Sequence, residues 1–86
     1  MKSKLTEMKE LLREMRSKKM SFFYIVVQMK GFKKNELIVN HVSNLEKKIE
    51  YYLKTYDANL NHKFADGVKI VSYGIAHSLE DITFEM

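Results

Sequence analysis

Apolar residues recur at helical spacing through the first part of the chain. They step by three, four and three positions, which places them on one face of a helix, and they are Leu5, Met8, Leu12 and Met15. Ser3 comes just before this series and suits an N-cap, because its hydroxyl can accept a hydrogen bond from a free N–H of the first turn. The pattern predicts a helix over residues 3–19.

Two strands are predicted after this helix. Residues 22–29 are aromatic and β-branched, and their apolar side chains alternate onto both faces, which is typical of a central strand covered on both sides. A polar loop then leads to a shorter strand over residues 37–42. This second strand carries Asn40 and His41 near its end, as an edge strand or the terminus of a strand does.

A second helix and a third strand complete the pattern. Ser43 and Glu46 fit the capping box that opens a helix. The apolar stripe that follows consists of Leu45, Ile49, Tyr52, Leu53 and Tyr56. Asp66-Gly67 is a turn signal before a strand over residues 68–76. Ser78 and Asp81 repeat the capping pattern, which predicts a final helical turn.

The order of these elements predicts an α+β fold, α-β-β-α-β with a short final helix. Three strands form an antiparallel sheet in the order 2-1-3, and the middle helix crosses one face. The first helix covers the other face, or that face pairs with another copy. We expect one domain over residues 1–86, made of the helix at 3–19 and a ββαβ unit at 21–76. The predicted core consists of Phe23, Ile25, Val27, Leu45, Ile49, Leu53, Ile70 and Val71.

Composition narrows the class of protein. The 86 residues are 45% hydrophobic and 30% charged, which indicates a small globular domain. Cysteine is absent, which excludes disulfide bonds and thiolate metal sites. The longest apolar run, residues 22–27, is too short to cross a bilayer, and the N-terminal segment lacks the pattern of a signal peptide. The expected location is the cytoplasm, with no membrane contact.

Charge is divided unevenly along the chain. Residues 1–43 hold ten Lys or Arg against four acidic residues, whereas residues 44–86 hold five Lys against seven. The first half therefore carries +6 and the second −2. A basic half is compatible with nucleic acid or an acidic protein as a partner, and also with ordinary solvated lysines.

Few residues form a pattern that carries chemistry. His41, His62 and His77 do not have metal-ligand spacing. Residues 57–68 begin like a calcium loop but lack its central glycine and final glutamate, so Asx turns after the helix are the better interpretation. Ser43 and Ser78 are interpreted as helix caps. We therefore expect no catalytic residue, no metal and no cofactor, and a protein that is not an enzyme.

Exposed aromatic and basic side chains are the candidates for partner binding. Tyr51 lies off the apolar stripe of the second helix, beside lysines, and Phe32 lies in the first polar loop. Such aromatic residues anchor protein interfaces or stack on bases. The predicted partner-binding residues are Tyr51, Lys47, Lys54, Phe32, Lys33, Lys34, Arg13 and Arg16.

Residues 36–75 resemble small, mostly uncharacterised phage and prophage proteins of low-GC Gram-positive bacteria. The positions that carry this resemblance are Asn44-Leu45, Lys48-Ile49-Glu50-Tyr51-Tyr52, Tyr56-Asp57, Asn59-Leu60 and Lys63. The resemblance implies an intracellular accessory protein that binds a host or defence protein. It carries over no catalytic residue.

The sequence therefore favours a small accessory or regulatory protein that binds another protein, such as an inhibitor of the phage type. A homodimer is expected to form through the first helix or a sheet edge. The alternative is a nucleic-acid-binding protein that uses its basic N-terminal half.

Overall fold

The computed structural model describes residues 2–82. Its elements are α1 (Lys4–Glu14), β1 (Phe22–Met29), β2 (Glu36–His41), α2 (Leu45–Thr55) and β3 (Val68–Ala76). Short 3₁₀ turns cover Val42–Asn44 and Leu79–Asp81, the second in place of the predicted final helix. The strands form an antiparallel sheet in the order β2-β1-β3, which confirms the predicted α+β fold. Neither described helix has the length and apolar character needed to cross a bilayer.

Both helices pack on the same face of the sheet, which we call the helix face. Phe23, Ile25 and Val27 of β1 are buried on this face, as predicted. The side chains that pack over them from the helices and adjoining turns are Met8, Leu12, Met15, Leu45, Ile49, Tyr52 and Tyr56. The Leu/Met seam of α1 is therefore buried within its own chain and does not need a partner.

The opposite face of the sheet, which we call the open face, is not covered by either described helix. On β1 it presents Phe22, Tyr24 and Val26. Of the two predicted alternatives for this face, coverage by α1 is therefore wrong, and pairing with another copy stays a prediction. Part of the cover comes from the sheet itself. The ring of Tyr24 lies over Gly74 of β3, where an added Cβ would lie 2.5 Å from the phenolic oxygen. Glycine at this position gives the ring room to lie close to the backbone.

The ends of α1 follow ordinary capping rules. The Ser3 hydroxyl accepts a hydrogen bond from the Thr6 N–H at 3.1 Å, as predicted. The regular helix ends at Glu14, and turns continue to Lys19, which has a left-handed φ of 56°. The Met20 N–H then donates to the Met15 carbonyl at 2.8 Å. This arrangement satisfies a free carbonyl at the helix end and directs the chain into β1.

The predicted capping box at Ser43 is wrong. The 3₁₀ turn at Val42–Asn44 precedes α2, so Ser43 lies before the position from which it would cap the helix. His41 takes the capping role instead, because its Nδ1 accepts a hydrogen bond from the Ser43 N–H at 3.1 Å. The Ser43 hydroxyl lies 3.0 Å from the same nitrogen.

Two residues of the predicted core are exposed. Leu53 is 38% exposed, since at 3.6 residues per turn it lies about 80° around the helix from Leu45, at the edge of the apolar stripe. Val71 is 43% exposed because a β-bulge interrupts the pairing of β1 with β3. Val26 pairs with Ser72 and Val27 with Ile70, so Val71 is the extra residue of the bulge.

Tyr52 is expected to affect stability at alkaline pH. Burial of its side chain, together with the nearby charges of Tyr56 and Tyr51, raises the pKa of Tyr52 to about 12. The unfolded chain has a tyrosine pKa of about 10, so the folded state keeps this proton more strongly. The resulting stability is complete below pH 10 and is lost as pH rises towards 12. In thermal melts over this pH range, the melting temperature should fall more steeply with pH for the wild type than for Tyr52→Phe. Equal slopes would contradict the assignment.

Candidate functional site

Two exposed phenylalanines lie at the end of the sheet where β1 finishes. Phe32, in the β1–β2 loop, is 68% exposed, and Phe64, in the α2–β3 loop, is 80% exposed. The Lys30 N–H donates to the Gly67 carbonyl at 2.9 Å, which joins the two loops. Large apolar side chains this exposed keep most of their contact with water on folding, so burial does not explain their presence. Two of them on adjoining loops indicate a contact surface.

Gly67 allows this close approach of the loops. Its φ is +77°, and an added Cβ would lie 2.5 Å from the Cβ of Lys30. A left-handed φ favours glycine because other residues place their Cβ against the backbone. The turn predicted at Asp66-Gly67 is therefore present, and it also fixes the position of one loop against the other.

Substitution of Gly67 by alanine is expected to lower the free energy of unfolding by about 1–3 kcal/mol through backbone strain and the contact with Lys30. Gly31→Ala is the matched control, because Gly31 also has a positive φ, +90°, but no atom of the described residues lies within 4 Å of the added Cβ. Denaturant melts should show the larger loss for Gly67→Ala. Equal losses would indicate that the contact with Lys30 is unimportant.

Lysines are close in sequence to the two phenylalanines. The two loops and the adjoining strand ends contribute Lys30, Lys33, Lys34, Lys63 and Lys69, against the acidic residues Glu36 and Asp66. Within residues 2–82 none of these five lysines forms an ion pair. We call the five lysines with Phe32 and Phe64 the basic loop surface. Its charge is available to an outside partner.

An open cleft of about 530 Å³ lies between the two loops. Phe32 and Lys30 line it from the β1–β2 loop, and His62 and Asp66 line it from the α2–β3 loop. The His62 ring contacts that of Phe64 edge-to-face, at 6.1 Å between centroids. The cleft therefore has aromatic walls and charges of both signs, and the polar side chains along it suit recognition of a partner group.

A second group of predicted site residues lies on the outer surface of α2. Lys47, Tyr51 and Lys54 share a shallow depression there with Glu50. Tyr51 is 50% exposed, as predicted, but Lys54 bonds to Glu50 at 2.8 Å. This pairing compensates much of the local positive charge, so the surface of α2 is closer to neutral than the basic loop surface.

The two arginines are separate from the basic loop surface. Arg13 approaches Glu46 at 3.6 Å and lies beside the depression on α2. Arg16 lies in the turn between α1 and β1, at the opposite end of β1 from Lys30. Eight strand residues span roughly 25 Å. The basic N-terminal half therefore does not form a continuous patch.

Sequence reasoning missed Phe64, Lys63 and Lys69. Phe64 is a single apolar residue in an otherwise polar segment, and this isolation is the signal that could have identified it. The two lysines belong to the C-terminal half of the chain, which has a negative net charge. Comparing the net charges of the two halves therefore does not reveal them. The fold places Lys69 and Lys30 along one cleft, and the Lys30–Gly67 hydrogen bond joins the loop that carries Lys63 and Phe64 to the first loop.

The other polar residues considered for chemistry have structural roles. Asp57 Oδ1 accepts hydrogen bonds from the N–H groups of Asn59 and Asn61, both at 2.9 Å. These bonds form the predicted Asx turns after α2. His41 caps the turn before α2, and Nδ1 of His62 accepts a bond from the Phe64 N–H at 3.1 Å.

No protein-family model matches this chain, and the searches of curated proteins and of solved structures found no match. The resemblance to phage and prophage proteins therefore stays a prediction.

Proposed function

We propose that this protein acts without catalysis, by binding another protein through the basic loop surface. The observation that carries this proposal is the pair of exposed phenylalanines, Phe32 and Phe64, on loops joined by a backbone hydrogen bond. Aromatic side chains that enter pockets of a partner contribute most of the free energy at many protein interfaces. The partner should therefore present apolar pockets.

The surrounding lysines define the charge of the partner. Five lysines without ion pairs in residues 2–82 favour a protein surface with acidic residues around those pockets. Such charges at the rim increase the association rate more than they increase affinity, and salt screens them. Binding should therefore be anchored by the phenylalanines and accelerated by the lysines.

A regulatory or inhibitory role follows from this kind of binding. A chain of this size, without a predicted catalytic residue, acts by occupying a surface that its partner needs. The partner class that the phage resemblance implies is a host or defence protein, and we retain it as part of the proposal.

Capture from source cells with three parallel baits tests the proposal. The wild type should enrich a protein that Phe32→Ser/Phe64→Ser does not retain, as measured by mass spectrometry. Tyr51→Ser is the matched control, because it removes an exposed aromatic residue beside lysines from the surface of α2. Enrichment lost only with Tyr51→Ser, or enrichment that is equal for all baits, would contradict the proposal.

Binding of single-stranded nucleic acid is the second candidate function. Exposed aromatic residues among lysines also describe surfaces on which bases stack. Protein binding is favoured because Asp66 lines the cleft and the basic residues near Arg16 lie at the other end of the sheet. Fluorescence anisotropy with single- and double-stranded oligonucleotides across a salt series distinguishes the two. Submicromolar, salt-sensitive binding that is lost on charge reversal of Lys33 and Lys34 would support nucleic acid instead.

A further inference from the structure

Within residues 2–82, the backbone groups along the outer edge of β2 have no strand partner. The Val42 N–H donates to the Ser21 carbonyl at 2.8 Å, and Phe22 lies opposite His41 in the ladder. Val42 therefore bonds towards β1. Because the bonding direction alternates from one residue to the next along an antiparallel strand, the even-numbered residues of β2 also bond to β1. Leu37, Val39 and His41 therefore direct their N–H and C=O groups away from the sheet.

The other edge of the sheet is partly occupied. The Ile70 N–H of β3 donates to the Leu60 carbonyl, and the Val68 carbonyl accepts from the His62 N–H, so the α2–β3 loop pairs with the first half of this strand. The bulge at Val71 then interrupts regular pairing. Bulges and covering loops protect an edge against pairing with other chains.

In the part of the chain that the structure describes, the edge of β2 lacks the usual protective features. Its outward-directed residues include neither lysine nor proline, and β1 and β2 pair without a register shift. The only residue of β2 that carries a fixed charge is Glu36, at the start of the strand and on the helix face with Val27. Leu37 and Val39 lie on the open face. An apolar edge without a bulge pairs readily with another strand.

We propose that β2 pairs with β2 of a second copy of this chain, antiparallel about a twofold axis at Val39. This register places Leu37 opposite His41 of the partner subunit, and all three outward-directed residues of each strand enter hydrogen-bonded pairs. A strand can pair antiparallel with itself in this way because the outward residues are spaced symmetrically about Val39. The result is a six-stranded sheet with a continuous open face.

Phe32 and Phe64 lie in loops outside the paired strands. The dimer would therefore present one basic loop surface at each of its two ends.

The contact is small, which sets its expected strength. A six-residue strand is about 20 Å long, and its pairing buries less than the roughly 800 Å² per partner of a standard stable interface. We therefore expect association in the micromolar range, with monomer and dimer in exchange.

Disulfide trapping tests the register. The chain contains no cysteine, so Val39→Cys introduces a single thiol. Hydrogen-bonded pairs across antiparallel strands have Cα atoms about 5.5 Å apart, within the range of a disulfide. Val39→Cys should therefore form the covalent dimer at least about tenfold faster than Val71→Cys, which places a thiol at an exposed position of β3, the strand at the other edge of the sheet. Equal rates would overturn the register.

Sedimentation equilibrium over a range of concentrations tests the association itself. The wild-type mass should rise from 10.2 kDa towards twice that value, whereas Val39→Pro should stay monomeric. Proline at this position removes an outward N–H and leaves the bonds to β1 intact. Leu37→Lys, which keeps the N–H and adds a charge to the contact, provides the same test if the proline variant does not fold. A wild type that remains at 10.2 kDa throughout, or dimers that persist in Leu37→Lys and in a folded Val39→Pro, would overturn the proposal.

Discussion

Truncation of Leu45 to alanine is expected to lower the free energy of unfolding by about 2–5 kcal/mol. Leu45 is 1% exposed and packs in the core between α2 and the sheet. Removing its side chain leaves a cavity that the neighbouring residues fill only in part, so both transfer free energy and packing contacts are lost. For a chain of 86 residues this is a large part of the expected total stability of roughly 4–13 kcal/mol.

Leu53→Ala is the matched control for Leu45→Ala. It makes the same chemical change in the same helix, but Leu53 is 38% exposed at the edge of the groove between α1 and α2. Leu53→Ala should lower the free energy of unfolding by about 1 kcal/mol or less, since much of the Leu53 side chain already contacts water. Urea melts of the two variants measure the difference. Equal losses would show that the apolar stripe of α2 faces another direction.

Loss of both phenylalanines from the basic loop surface is expected to weaken partner binding by roughly 100-fold or more. Phe32→Ala/Phe64→Ala removes the two apolar anchors, and the high exposure of both side chains in the free protein means that stability should hardly change. Isothermal titration calorimetry with the captured partner measures the affinity, and a thermal melt measures the stability.

A charge variant separates the two parts of this surface. Lys33→Glu/Lys34→Glu should lower the association rate and remove most of its salt dependence, with a smaller effect on dissociation. Tyr51→Ala should leave both rates unchanged. If affinity depended on Tyr51 and not on the phenylalanines, the binding surface would lie on α2.

Local sequence patterns were sufficient for the elements and their order. The alternation in β1 and the helical spacing of Leu5, Met8 and Leu12 each reflect burial along one element, which is a local property. The sheet order followed from connectivity: a hairpin, then a helical crossover, leaves β1 in the centre.

The predictions that were wrong depend on features that lie outside the individual helices and strands. Val71 is exposed because one extra residue enters β3, and periodicity alone does not show a bulge. Ser43 does not cap α2 because a 3₁₀ turn with a histidine cap is inserted before the helix. The prediction that α1 covers the second face of β1 was wrong because α1 packs beside α2 on the helix face. The apolar seam of α1 does not specify which face of the sheet it packs on.

The candidate site could be predicted only in part. Phe32, Lys33 and Lys34 are adjacent in the sequence, and they remain together in the structure. The loop that carries Phe64 and Lys63 adjoins theirs because the Lys30–Gly67 hydrogen bond holds together two loops that are distant along the chain. Arg16 separates from them because β1 runs between the two basic segments.

Hydrogen–deuterium exchange of this chain, free and bound to the captured partner, tests the central claim most directly. Binding through the basic loop surface should slow exchange of the amides in residues 30–35 and 61–67, which lie in the two loops. Exchange around Tyr51 on α2 should stay the same in the free and bound protein. Protection confined to α2, or no protection in either loop, would contradict the assignment of the binding surface.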